Sequence, residues 1–302
     1  MRILLPFIGL ILFSTTASAQ FAGPFPIPAE GDAALFAHYS GYMQMRTTER
    51  GMPLNVNEIL IDRDRTLWLG MEDGLLRCDG DRHTLYQHAR ADSTSVPNNS
   101  ITDVRQGPDG SIWVGTQSGM ARLNPATGRF KRFRIESDTL NRVLANRFWQ
   151  VAPMPDGSAI ALTEAGVFLL DLKGRFVALQ EPQHYTPGAE TQKLLLQDRR
   201  SDAVLIPTDR GILRISAAGR AEPVLLAEEF PGGDAGEIVG LTWTADSSLA
   251  WLDNRSRAFF EVDLRNRTWW RMEDDTLLPD LESLRGLHKG PHGEWWAWSW
   301  SG

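Results

Sequence analysis

Cysteine is almost absent from this 302-residue sequence: Cys78 stands alone, so no disulfide within the chain can hold the fold, and burial must do so. Long apolar runs are missing too. Ile3 to Phe13 falls short of the roughly 18 residues a spanning helix needs. With Arg2 before it and Ala17-Ser18-Ala19 after it, that run has the form of a cleaved export signal. We therefore expect residues 1–19 to be a signal peptide, 20–54 a lead-in, and 55–302 the folded domain of an exported protein. Basic charge is in deficit. A formal net charge of −7 argues against nucleic acid or an anionic lipid surface as partner.

Catalytic signatures are lacking as well. His38, His83, His88, His184, His288 and His292 do not recur at matching places, and no H-x-H, HExxH, GxSxG or paired-cysteine spacing is present. His288 and His292 are four apart, but a Lys-Gly-Pro-His-Gly turn signal runs through them, so they share no helix face as a metal pair would. Asp62 and Asp64, in DRDR, read as turn chemistry in preference to a calcium site. The sequence thus assigns no catalytic residue, metal or cofactor.

What is present is tryptophan, eleven against four tyrosines, and a repeat. DRTLWLGMEDG ends at Gly74, DGSIWVGTQSG at Gly119, DGSAIALTEAG at Gly166 and SDAVLIPTDRG at Gly211. DSSLAWLDNRSR puts Arg257 in the glycine's place, and HGEWWAWSWSG ends on Gly302. The steps are 45, 47, 45, 46 and 45 residues. A strand-rich period of that size marks the blades of a β-propeller. Each unit parses into four short strands. In the second, Pro108-Asp109-Gly110 is the tight turn before a strand that runs to Thr116, Gly119 opens the third strand, and Arg129 to Ile135 is the fourth. The expected fold is all-β: a propeller of four-stranded antiparallel blades, about six of them visible, in an incomplete seven-bladed ring.

The repeat explains the tryptophans. Trp68, Trp113, Ile160, Leu205, Trp251 and Trp296 form one column, where a large flat side chain fills the wedge between neighbouring blades. Cys78 aligns with Leu123, Leu170 and Ile215 and so reads as a small core residue. The glycine column is expected to have positive φ. Pro207 lies in a strand that should be central, where proline is poorly tolerated.

NEILIDRDRTLWLGMEDGLLRCDGD and NNSITDVRQGPDGSIWVGTQSGMARLNPATGRF resemble the two-component regulator propeller repeat, and RGMPLNVNEIL resembles the entry into the first blade of such sensors. The resemblance is close over residues 50–135. It implies a periplasmic sensor whose output half is a histidine kinase, a diguanylate cyclase or a DNA-binding domain. Unit six supplies only two strands before Gly302, so the sequence reads as the N-terminal part of a longer receptor. That receptor would be anchored by a C-terminal membrane segment and would leave room for a homodimer. The expected ligand is a small molecule or oligosaccharide of unknown identity. An exported propeller enzyme resembling streptogramin lyases, and a non-catalytic scaffold, stay open as alternatives.

Trp298 and Trp300 lie beyond what the wedge needs. They are the candidate ligand-stacking residues, with packing on a seventh blade as the other reading. Arg77, Arg122 and Arg214 recur three residues after the glycine and suit either an anion or neighbouring carboxylates. The long links between blades, Ala89 to Ser100, Glu136 to Asn146 and Glu181 to Thr191, are the expected recognition loops. Met43 to Thr47 is the expected ring-closing strand.

Overall fold

The computed structural model describes residues 56–80, 82–136, 142–180, 194–198, 200–208, 210–233, 238–253, 258–272, 284–289 and 295–299, the last two ranges by backbone alone. Strands follow the repeat. Blade 1 comprises β1 (Val56–Ile61), β2 (Leu67–Met71), β3 (Gly74–Asp79) and β4 (Arg82–Tyr86). Blade 2 comprises β5 (Ile101–Gln106), β6 (Ile112–Thr116), β7 (Gly119–Asn124) and β8 (Arg129–Phe133). A four-residue helix, α1 (Arg142–Ala145), leads into blade 3: β9 (Phe148–Pro153), β10 (Ala159–Thr163), β11 (Gly166–Leu170) and β12 (Phe176–Gln180). Blade 4 is β13 (Leu196–Gln197), β14 (Ala203–Thr208), β15 (Gly211–Ser216) and β16 (Ala221–Leu226). Blade 5 is β17 (Ile238–Trp243), β18 (Ser248–Asp253), β19 (Ala258–Asp263) and β20 (Thr268–Met272). A two-stranded sheet, β21 (Leu284–Lys289) and β22 (Trp295–Ser299), lies beside blade 5. Each sheet pairs its strands antiparallel in sequence order, so the chain is an all-β propeller with five four-stranded blades among the described residues.

Local chemistry sets each turn. In blade 2 the Ser111 amide is held by the Asp109 carboxylate, and Gly110 takes φ 81°. The closing glycines Gly74, Gly119, Gly166 and Gly211 all have φ between 114° and 132°, as expected. A Cβ on Gly211 would overlap the Leu225 carbonyl oxygen. A threonine three residues earlier completes this turn: Thr163 and Thr208 each donate to the glycine carbonyl at 3.0 Å, and Thr116 does so at 2.7 Å.

Blades stack through the wedge column. Trp68, Trp113, Ile160, Leu205 and Trp251 are all at most 2% exposed. Trp68 packs with Leu75 and Tyr86 against Ile112, Val114, Leu123 and Phe130 of blade 2. Trp113 with Phe133 does the same to Phe148, Val151 and Ala161 of blade 3. The glycine of Trp-x-Gly has a matching cause. A Cβ on Gly70 would lie 2.8 Å from Ile101 Cγ2 and 2.9 Å from Val104 Cγ2, so the next blade's first strand comes close only because the position is bare. Cys78 is fully buried among Leu69, Met71 and Leu76, and burial pushes its thiol up to about 11, which makes it a core residue.

Pro207 is accommodated by a short neighbour. β13 pairs with β14 at only two positions, Leu196 with Leu205 and Gln197 with Val204, so no ladder bond is asked of the proline nitrogen. The amides of Leu194 and Leu195, just before that pairing, turn to blade 3 and bond the Gln150 side-chain oxygen at 2.6 and 2.8 Å.

Candidate functional site

The first strands of successive blades lie side by side, β1 by β5 and β5 by β9. Glu58, Asp103 and Gln150 occupy one position on these strands and are buried. A column of buried polar side chains on the innermost strands is where a catalytic or binding group would be sought. Its chemistry is structural in blades 2 and 3. Asp103 accepts the Val151 amide of the next blade at 2.8 Å and pairs with Arg105 at 3.0 Å, and Gln150 accepts two amides of blade 4. Asp103 foremost, with Glu58 adding, holds the Arg105 guanidinium more firmly protonated, against the opposing effect of its burial.

One residue earlier, a bulge in each of these strands frees a side chain to reach the following blade. Asn57 donates to the Ile101 carbonyl at 2.8 Å, and Thr102 donates to the Phe148 carbonyl. Sequence reasoning missed this stapling system. The recurrence of a polar residue at 58, 103 and 150 was its visible signal.

The recurring arginines are likewise committed. Arg77 lies 5.5 Å over Trp68 and pairs with Asp79; Arg122 lies 5.4 Å over Trp113 and pairs with Asp109; Arg214 pairs with Asp198 at 2.7 Å. Burial works to raise the Asp198 carboxyl, but hydrogen bonds from the Ser201 hydroxyl, the Arg200 amide and Arg214 outweigh it and bring the group below the usual range. Asp62 accepts from the Asp64 and Thr66 amides and from the Trp68 indole, so its oxygens serve the hairpin. Among the described residues no group of three or more His, Cys, Asp or Glu is placed to hold a metal ion. His88 Nδ1 lies 2.9 Å from the Val96 carbonyl oxygen, inside a blade link.

That link, Ala89 to Ser100, crosses the outer edge of blade 2. The Phe130 amide donates to Thr94 O at 2.8 Å. The Arg132 guanidinium donates to Ser95 O at 2.7 Å, Asp92 O at 2.6 Å, Val96 O at 3.3 Å and the Ser95 hydroxyl. It is a strap, held on β8 by one main-chain bond and the Arg132 guanidinium. In the second link, Asn146 bonds the Ile135 amide and carbonyl through its side chain, and its own carbonyl accepts the Gly119 amide at 2.8 Å. Around them lies a polar surface on the link side: Arg134 with Ser118 at 3.2 Å and Arg147 with Glu164 at 2.9 Å. The third link, Glu181 to Thr191, lies outside the described residues, as does the expected ring-closing strand, Met43 to Thr47. Trp298 is in β22, opposite Gly286, and Trp300 lies outside the described residues.

Residues 95–118, which run from the end of the strap through β5 and β6, match the two component regulator propeller family. Among solved structures, the chain is similar to the extracellular domain of a candidate hybrid two component system from B. thetaiotaomicron, at 17% identity and TM-score 0.60. That match covers 85% of this chain and 33% of the other, so the chain spans about a third of that relative's length. Virginiamycin B lyase from Staphylococcus aureus is similar at 13% identity and TM-score 0.59, over 82% of this chain and 78% of the lyase. At these identities the likeness is one of fold. No curated protein sequence matches the chain. Among the described residues, no helix is long and apolar enough to cross a membrane.

Proposed function

We propose that this propeller is the ligand-recognising region of an exported signal-transduction receptor. The observation that carries the reading is the two-component regulator repeat at residues 95–118. The likeness to an extracellular domain of a candidate hybrid two component system agrees with it. In this reading the propeller faces the periplasm and has no catalytic role. The output, a histidine kinase or a diguanylate cyclase, belongs to another part of the receptor, across a membrane segment. The ligand is a small molecule or oligosaccharide, taken at the link-side face with Trp298 and Trp300 as stacking candidates. Signalling requires that the ligand favour one of two receptor states. Blades stapled by Asn57, Thr102, Asp103 and Gln150 resist separate movement, so the ligand acts by reorienting the propeller as one body, as between the subunits of a homodimer.

The test is thermal-shift and calorimetric titration of the chain with oligosaccharides and small metabolites, followed by mass analysis of the recovered ligand. Saturable binding with the ligand unchanged, weakened by Trp298→Ala, supports sensing. A chemically altered ligand overturns it in favour of an enzyme, for which the lyase's fold is the reason to look. Nucleic acid is expected not to bind, given the acidic charge.

A further inference from the structure

Charge is unevenly divided along this chain. Residues 89–136 carry seven arginines and lysines against four aspartates and glutamates, so the rest of the −7 chain sums to −10. The net charge, which taken whole speaks against an anionic surface, conceals this local excess. Two of the seven cations are engaged at short range, Arg105 by Asp103 and Arg122 by Asp109. The other five, Arg90, Arg129, Lys131, Arg132 and Arg134, have no ion pair among the described residues.

All five lie on the outer edge of blade 2. Four stand on β8 and the residue after it, over about 17 Å of extended chain. Lys131 is opposite Arg122 and Arg132 opposite Ala121, so the cations fan to both sides of the strand. Arg90 joins them on the strap, which the Arg132 guanidinium holds at the Asp92 and Ser95 carbonyls. Arg90, Arg129, Lys131 and Arg134 are exposed. Two acidic residues of the stretch remain, Asp92 and Glu136, and the Asp92 carboxylate accepts the Thr94 amide and hydroxyl at 2.8 and 2.7 Å.

The blade itself does not require these cations. Among the equivalent outer strands, β4 and β20 have one arginine each, β16 has a single glutamate and β12 has no charge. Lysine and arginine commonly guard free strand edges, but a guard would also appear on β12. The β8 edge is in any case already crossed by the strap, through the Phe130 amide bond to Thr94. The chemistry of the edge selects its partner. Phe130 and Phe133 are buried and Tyr86 is half-buried, so no free ring face is offered on which a sugar could stack. That speaks against an acidic polysaccharide. Long cationic side chains fanned from a ridge suit a yielding layer of phosphate groups. We propose that the outer edge of blade 2 docks on an anionic phospholipid surface through Arg90, Arg129, Lys131 and Arg134, with Arg132 holding the strap in place among them. The association is electrostatic and reversible, and it turns the acidic remainder of the chain away from the surface. It does not depend on which ligand the propeller recognises.

The test is flotation of the full chain with vesicles of phosphatidylglycerol and of phosphatidylcholine. Residues 1–19 are common to all the chains compared, so their own affinity for lipid cancels. An excess on phosphatidylglycerol should be present at about 0.05 M salt and lost at about 0.5 M. It should fall about tenfold or more when Arg129→Gln, Lys131→Gln and Arg134→Gln are combined. The combination of Lys173→Gln, Arg220→Gln and Arg265→Gln changes the net charge equally on other blades and should keep the excess. No excess for the parent, or equal losses in the two triple variants, overturns the proposal. Transfer of the parent from vesicles to soluble alginate would assign the edge to an acidic polysaccharide and overturns it too. Because the triple variants can fail to fold, acetylation of the parent gives an independent reading. Phosphatidylglycerol vesicles should slow modification of Lys131 and leave that of Lys173 unchanged. An unchanged rate at Lys131 overturns the proposal as well.

Discussion

The indole nitrogen of Trp68 donates to the Asp62 carboxylate at 2.8 Å, so the hairpin that opens blade 1 is tied to the side chain that wedges blades 1 and 2 apart. The other Asp62 oxygen holds the Asp64 and Thr66 amides. Asp62→Ala therefore strips three donors at once and leaves the indole N–H buried without a partner, a loss of about 1–3 kcal/mol. Urea unfolding should show this loss, and Trp68→Phe in the same background should add less than it does alone, because the orphaned donor is then gone. Simple additivity of the two losses would show that the pair is not coupled.

The wedge and the turn differ in what they carry. Trp113 is 2% exposed and stacks on Phe133 at 5.8 Å, so Trp113→Ala should cost about 3–5 kcal/mol. Asp109 is half exposed, and Asp109→Ala loses a surface pair with Arg122 and the contacts to Ser111, at most about 1 kcal/mol. Equal shifts in the unfolding midpoint would refute that ranking.

Most of the frame was legible because propeller blades repeat their backbone problems. A positive-φ turn calls for glycine and a wedge calls for a flat side chain, and both leave columns in the sequence, at Gly74 to Gly211 and Trp68 to Trp251. Partners fixed by tertiary contact left weaker marks. Nothing near Ser95 announces that Arg132, 37 residues on, grips it and holds the polar link across an edge strand. The staples were hidden for a related reason. Asp103 and Gln150 bond backbone amides, which have no sequence signature, and different side chains serve the same position. Pro207 looked misplaced because the shortness of β13 is itself a tertiary outcome.

Blade 1 pays for one departure from the repeat. Arg65 holds φ 63° at the place where blade 2 has Gly110 at 81°. The left-handed region costs a non-glycine residue about 1–2 kcal/mol, and glycine loses about 0.5–1 kcal/mol more chain entropy on folding. Arg65→Gly should thus stabilise the protein by several tenths to about 1 kcal/mol. A lower unfolding midpoint would mean that the arginine side chain contributes more than the backbone strain removes.

Acid should act through Asp198. Its side chain is fully buried, and its carboxyl is held below the ordinary value of about 3.9 because the donors of Ser201, Arg200 and Arg214 outweigh the burial that opposes them. A depressed native pKa contributes stability that is present above the unfolded value and lost as pH falls through the native one. Stability from this group should be level from pH 8 down to about 5 and decline below about 4. Asp198→Asn should be less stable at neutral pH and show a shallower acid decline. An identical acid slope in variant and parent would remove Asp198 from the account.

The strap offers the sharpest separation of local from global stability. Arg132 serves four acceptors on residues 92–96 through the fixed fork of one guanidinium, a geometry that a lysine ammonium cannot reproduce. The Phe130 amide bond to Thr94 is the one main-chain tie between the strap and β8 in that stretch. Arg132→Ala should therefore free Ala89 to Val96 to open without unfolding blade 2, whose own ladder and wedge contacts are untouched. Trypsin should then cut at Arg90 about tenfold faster or more, with only a small change in the unfolding midpoint, and Arg132→Lys should behave like the alanine variant. If cleavage at Arg90 does not change, the link is held by contacts other than this arginine. If cleavage and the global midpoint change together, the strap is part of the blade's cooperative unit, and its opening cannot serve as a separate motion in recognition.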